Sequence, residues 1–128
     1  MAYTLETILA EKYETIIRRG TANTRARDFY DLYLLHKVYS EKINRNDFQK
    51  AVALTSKKRG SESDIKDAEE ILREIQDSDT MNRLWEKYRK ENLYARDIVF
   101  ETVMECAREI EVLLRQGEEV IKSEILYC

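Results

Sequence analysis

The chain has 128 residues, with 37% charged and 43% hydrophobic residues, three glycines and no proline. Its length fits one domain with a single modest core, and its composition excludes collagen-like, linker-like and strongly disordered chains. The net charge of −3 combines a basic half (residues 1–60, 12 Lys+Arg against 7 Asp+Glu) with an acidic half (residues 61–128, 10 against 18). This asymmetry fits either a surface that binds a polyanion or mutual attraction between the halves of one domain.

Targeting signals and metal-binding patterns are not evident. No apolar run approaches the length of a bilayer, and residues 1–10 lack the basic start and apolar core of a signal peptide, so we expect a cytoplasmic protein without a membrane partner. Cys106 and Cys128 form neither a disulfide framework nor a metal spacing, and His36 is the only histidine. We therefore predict no metal site and no cofactor in this chain alone.

The first predicted helix runs from Thr4, a candidate N-cap, to about Arg19, where a glycine follows at the stop position. At 100° per residue, Lys12 falls in the middle of its apolar stripe, whereas Glu11 and Glu14 fall outside it. The stripe consists of Leu5, Ile8, Leu9, Tyr13, Ile16 and Ile17. A lysine in this position is misplaced for a surface residue.

The second predicted helix, from Arg25 to about Tyr39, is apolar nearly all round, which is typical of a central helix. Asp28 and Asp31 are three residues apart and share one of its faces. Like Lys12, both aspartates lie on a segment that otherwise resembles protein core.

Helical spacing continues towards the C-terminus without a strand-like alternation or an internal repeat. Further helices are predicted over about 46–58, 65–76, 79–88 and 95–116, with Gly117 ending the last one. We predict side-chain caps for the later helices, at Asn23 or Thr24, Asn46 or Asp47, and Asp79 or Thr80. The prediction is an all-α single domain over residues 1–128, a bundle of about five to seven helices.

Three short strings have structural explanations. Gly60-Ser61 and Asp77-Ser78-Asp79 superficially match nucleotide- and metal-holding elements of nucleotidyltransferases, but they lie between predicted helices and lack flanking strand residues. We interpret both as caps and loops. Lys57-Lys58-Arg59 fits a phosphate contact or, equally well, basic residues that favour a helix C-terminus.

Lys12, Asp28 and Asp31 are the strongest candidates for chemistry, because ionised groups are costly to bury unless they are paired or used. One interpretation is a structural ion pair that joins the first two helices. The other is a site, with an ammonium directed at phosphate oxygens and a carboxylate that binds metal or accepts a proton. The residues alone leave both open.

Two strings around these residues resemble known motifs. Leu5-Glu6-Thr7-Ile8-Leu9-Ala10-Glu11-Lys12 is similar to the third motif of the AbiEii/AbiGii-type nucleotidyltransferase toxins of type IV toxin–antitoxin and abortive-infection systems. Arg25-Ala26-Arg27-Asp28-Phe29-Tyr30-Asp31-Leu32 is similar to the fourth, with Arg27 where relatives often have lysine. The close resemblance covers about the first 40 residues, and residues 51–59 and 85–100 agree loosely.

The resemblance implies an N-terminal α/β half, which holds magnesium and a nucleoside triphosphate, followed by a helical half that completes the active site. In that scheme Lys12 steadies the phosphates, Asp28 lines the cleft and activates the acceptor hydroxyl, and Asp31 supports it. Arg25 and Arg27 are implied as substrate-binding residues. An antitoxin is the implied partner, and tRNA or another RNA is a candidate acceptor.

The chain departs from the family pattern at its start, because the third motif begins within a few residues of Met1. We therefore expect the C-terminal helical portion of such a toxin, without the nucleotide-binding half and inactive alone. The alternative function is a non-enzymatic helical module that binds an antitoxin, the missing half or a second copy of itself.

Overall fold

The fold, taken from a computed structural model, is described for residues 4–127, with side chains described for residues 4–115. These residues form seven α-helices, three short 3-10 turns and no strand, which confirms the all-α prediction. The helices are α1 (Leu5–Arg19), α2 (Ala26–Tyr39), α3 (Arg45–Arg59), α4 (Glu62–Lys66), α5 (Ala68–Asp77), α6 (Asp79–Glu91) and α7 (Phe100–Tyr127).

Helix α1 begins and ends where its sequence predicts. The Thr4 hydroxyl accepts a hydrogen bond from the Thr7 backbone N–H at 3.2 Å, which satisfies one of the free donors of the first turn. The helix ends at Gly20, whose φ of 52° lies in the left-handed region that favours glycine. Its N–H still bonds to the Ile16 carbonyl, so the chain turns sharply towards α2.

Helix α1 is central to the bundle, because it contacts α2, α3, α4 and α5. Most of its apolar stripe is buried, with Ile8 exposed, and Leu9 and Ile16 have no exposed surface. Tyr13 packs edge-on against Phe48 of α3, with ring centroids 6.2 Å apart. Burying side chains of this size stabilises the fold by about 2 kcal/mol each, so α1 is firmly held by its neighbours.

Helix α2 contacts α7, α1 and α6. Phe29 and Leu32 are buried, but Leu34 is 41% exposed and Val38 is 57% exposed. Three helices therefore cover α2, as its sequence predicts, and its exposed apolar residues lie in its C-terminal half.

Aromatic packing joins α2, α6 and the turn that precedes α7. The Trp85 indole N–H donates to the Ile98 carbonyl at 2.8 Å, which fixes α6 against that turn. The Tyr94 ring, in the 3-10 turn Leu93–Ala95, lies 4.8 Å from the Tyr30 ring of α2. The start of α2 therefore lies between α1 and this turn.

Several predicted helix boundaries are wrong. Helix α3 is capped by Asn44, whose side chain accepts from the Asp47 N–H, rather than by Asn46 or Asp47. Asn23 bonds to the N–H of Arg25, just before α2 begins, and so does not cap it. The segment predicted over 65–76 is divided into α4 and α5, and α7 begins later than predicted and continues through residue 117.

No helix within the described residues is long and apolar enough to span a membrane.

Candidate functional site

The first two helices bring the three predicted site residues together. The Lys12 ammonium donates to Asp31 Oδ2 at 3.0 Å and lies 3.9 Å from Asp28 Oδ1. The Lys12 side chain is 34% exposed and that of Asp31 24%, so the pair lies at the surface of the bundle. The predicted cluster therefore exists, and solvent reaches its lysine.

Asp28 differs from Asp31 in its burial. Its side chain is 5% exposed, and Oδ2 is buried without a hydrogen-bond partner among the described residues. A buried acceptor without a donor is unusual in a folded protein and costs about 1–3 kcal/mol. Asp28 lies in the first turn of α2, where the helix dipole favours a negative charge.

Two further cations border the cluster. Arg27 is 76% exposed, and its Nε lies 4.0 Å from Asp31 Oδ1. Arg25 is exposed at the N-cap of α2. With Lys12, three cations stand against two carboxylates, so an anion that approaches this end of α2 meets a local excess of positive charge.

A pair of tyrosines flanks the site on the side away from α1. The phenol oxygens of Tyr88 and Tyr94 are 2.8 Å apart. Burial raises the pKa of Tyr88, and the hydrogen bond with Tyr94 and the negative charge of Asp31 raise it further. These tyrosines were not predicted from the sequence, because residues of α6 and the following turn reach α2 only in the folded chain.

The cluster does not fit a magnesium site by itself. The described residues contain no group of three or more His, Cys, Asp or Glu side chains able to hold a metal ion. The Lys12 ammonium also lies within 4.0 Å of both carboxylates, where it would repel a metal ion. Magnesium requires oxygen ligands in near-octahedral geometry, so we assign it no place among these residues.

Glu14, predicted to lie outside the apolar stripe, is fully buried. Its carboxylate accepts hydrogen bonds from the Arg59 guanidinium at 2.7 Å, the Ser61 hydroxyl at 2.7 Å and Arg18 Nε at 3.0 Å. Glu14 is buried although it lies outside the stripe, because the link between α3 and α4 covers this side of α1. Glu14 is therefore a structural charge that joins three parts of the bundle.

The strings interpreted as caps and loops are indeed structural. Gly60 follows α3 in the left-handed conformation, with φ of 69°, and Ser61 donates to Glu14. Ser78 caps α6 by accepting from the Met81 N–H at 3.2 Å. Neither string takes part in the candidate site.

The Glu14 network predicts a specific dependence on pH. Burial alone would raise the pKa of Glu14, but the hydrogen bonds from Ser61 and Arg59 and the charge of Arg18 outweigh it and lower the pKa below 4.5. The network therefore stabilises the fold fully above pH 4.5, and this contribution is lost as the pH falls through the folded-state pKa.

We expect Glu14→Gln to lower the free energy of unfolding at pH 7 by about 3 kcal/mol, because it removes the partner of buried donors. The difference from wild type should shrink as the pH falls from 5 to 3, as measured by urea denaturation. Glu11→Gln on the same helix is the control and should cost less than about 0.5 kcal/mol. A difference that stays constant down to pH 3 would contradict this assignment.

A double-mutant cycle separates the two interpretations of Lys12. Because the Lys12–Asp31 pair is partly exposed, the coupling energy between Lys12→Met and Asp31→Asn should be below about 1 kcal/mol in urea denaturation at pH 7. A coupling above about 2 kcal/mol would instead identify the pair as a structural link between α1 and α2.

The family of the chain is identified by comparison with known proteins. The family model described as "Nucleotidyl transferase AbiEii toxin, Type IV TA system" matches residues 1–107, which include the candidate site. No curated protein and no solved structure matches the chain. Since the match covers well over half of the 128 residues, the chain belongs to the AbiEii family of nucleotidyl transferase toxins of type IV toxin–antitoxin systems.

Proposed function

We propose that this chain is the helical portion of a nucleotidyltransferase-type toxin, and that it supplies Lys12 and Asp28 to the reaction centre. Membership of the AbiEii family supports the class of reaction. The observation that carries the proposal is the buried, unpartnered Asp28 Oδ2 on a carboxylate that lies 3.9 Å from a solvent-accessible ammonium. Most buried polar atoms of a structural ion pair have a hydrogen-bond partner, so this oxygen favours a role beyond pairing.

The three residues have different roles in this proposal. The Lys12 ammonium is oriented by one bond to Asp31, which leaves other N–H donors for phosphate oxygens of a nucleoside triphosphate. Asp28 accepts the proton of the attacking hydroxyl through Oδ1, the oxygen that lies 3.9 Å from the Lys12 ammonium. Asp31 is a positioning residue, and exposed Arg25 and Arg27 add positive charge where the phosphates approach.

We further infer that this chain alone does not catalyse transfer. Nucleotidyl transfer requires stabilisation of the charge that develops on the phosphoryl oxygens, and magnesium supplies much of it. The Lys12 ammonium lies within 4.0 Å of both carboxylates of the cluster, where it would repel a metal ion. The carboxylates that hold magnesium would therefore come from a nucleotide-binding part outside the helices described here.

A second candidate function is a helical interaction module. Ile8 on α1 and Leu34 and Val38 on α2 are each 39–57% exposed, and they lie on the two helices that carry Lys12, Asp28 and Asp31. Exposed apolar residues favour contact with a partner where they form a continuous patch. The partner would be the nucleotide-binding part, an antitoxin or a second copy of the chain.

The test is nucleotide transfer from labelled nucleoside triphosphates to RNA in the presence of magnesium. We expect no transfer by this chain alone. In a longer family member that matches this chain over α1 and α2, the counterpart of Lys12→Met should lower transfer at least about 100-fold, because it removes a charge from the transition state.

The matched control is the counterpart of Lys50→Met, a change at an exposed lysine of α3. It should leave both transfer and the free energy of unfolding unchanged. Transfer that survives the change at Lys12 would contradict the catalytic role and favour the interaction module. Robust transfer by this chain alone would contradict the inferred need for a second part.

A further inference from the structure

A cavity lined mainly by cations lies where α6 gives way to the 3-10 turn Leu93–Ala95. Its volume is about 320 Å³, and its lining residues are Arg89, Lys90, Leu93 and Arg96. The lining thus holds three cations and, within the described part of the chain, no acidic side chain. A concave surface that carries charge of one sign concentrates ions of the opposite sign from solution. The cavity therefore favours an anionic ligand.

Two of the three cations have no carboxylate partner among the residues that the structure describes. Arg89 is paired, with its Nε 3.5 Å from Glu86 Oε2. Lys90 and Arg96 are exposed, and no carboxylate of the described residues lies within 4.0 Å of either. Like charges around one cavity repel each other, so an anion bound between them would relieve this repulsion.

The helix dipole explains only part of this arrangement. Arg89 and Lys90 lie in the last turn of α6, where a cation is favourable in any helix. Arg96 follows the 3-10 turn and belongs to no α-helix, yet it lines the same cavity. The dipole of α6 therefore gives no reason for a third cation beside the first two.

The turn that brings Arg96 to the cavity is held in place by its own hydrogen bonds. The Asn92 side-chain amide donates to the Tyr88 carbonyl at 2.8 Å. The Ala95 N–H donates to the Asn92 carbonyl at 3.0 Å, and the Arg96 N–H donates to the Leu93 carbonyl at 3.2 Å. Ala95 is fully buried, which anchors the turn on the core. The backbone around the cavity is thus preorganised, which lowers the free-energy cost of binding.

We propose that this cavity binds a small phosphate-bearing anion, either free phosphate or the phosphate group of an organic molecule. A guanidinium can donate two parallel hydrogen bonds to phosphate oxygens, and a lysine ammonium adds a compact charge. Leu93 lines the cavity and is 84% exposed, so an apolar group attached to the phosphate would contact it. The lining shares no residue with the candidate site around Lys12, so this inference does not depend on the proposed function.

An NMR titration of the full chain with inorganic phosphate, at pH 7 and constant ionic strength, tests this proposal. We expect saturable changes in the amide chemical shifts of residues 89–96. Arg96→Gln should raise the dissociation constant at least about fivefold, because one charged contact with the phosphate is lost. The matched control, Arg83→Gln, removes the same charge from an exposed position of α6 that does not line the cavity. It should change the constant less than about twofold, because solvent and salt screen a charge that does not contact the ligand.

A second titration, with phenyl phosphate, distinguishes the two sources of the phosphate group. A dissociation constant at least about threefold below that of inorganic phosphate would assign an organic phosphate whose apolar part contacts Leu93, and equal constants would assign the free anion. Absence of saturable shifts at residues 89–96, or equal losses in Arg96→Gln and Arg83→Gln, would overturn the proposal. Shifts confined to Lys12 and residues 25–31 would also overturn it, because phosphate would then bind only at the candidate site.

Discussion

Glu14 and Lys12 are ionised side chains two residues apart on α1, and they lie in opposite environments. Glu14 is buried in the bundle, whereas Lys12 is partly exposed to solvent. Glu14 has no exposed surface and is held by three donors from α1 and from the link between α3 and α4. A buried charge that loses such partners costs several kcal/mol, so this side of α1 cannot move without disrupting the core. Lys12 is not enclosed in this way, because its ammonium reaches solvent beside Asp31.

Because Glu14 is buried and Lys12 is partly exposed, helix α1 can stabilise the fold and also present a reactive amine. Because the buried residues of α1 and Glu14 hold the helix in place, the backbone at Lys12 is fixed by the bundle, and the bond to Asp31 orients the ammonium. The Asp28 carboxylate is fixed in the same way, since its neighbour Phe29 is buried at the start of α2. A site on rigid helices keeps its geometry while a nucleotide and an acceptor arrive from outside.

Local sequence pattern predicted the features that depend on near neighbours. The spacing of Asp28 and Asp31 placed both carboxylates on the face that meets Lys12, but Lys12 itself is partly exposed and not in the middle of a buried stripe. Glu14 was not predictable, because its partners Arg59 and Ser61 are 45 and 47 residues away in sequence. The same reason hides Tyr94, which joins the site only through contact between the turn before α7 and α2. Periodicity records which residues are apolar, but not which distant segment covers them.

The accessibility of the Lys12 ammonium to phosphate is the most direct test of the account. It can be measured in the full chain as the rate at which an amine-reactive ester labels Lys12, by mass spectrometry, with and without inorganic tripolyphosphate. If the Lys12 ammonium binds phosphate, we expect saturating tripolyphosphate to slow labelling of Lys12 about threefold or more and to leave exposed Lys50 unaffected. Equal rates at Lys12 with and without tripolyphosphate, or equal slowing at both lysines, would contradict it.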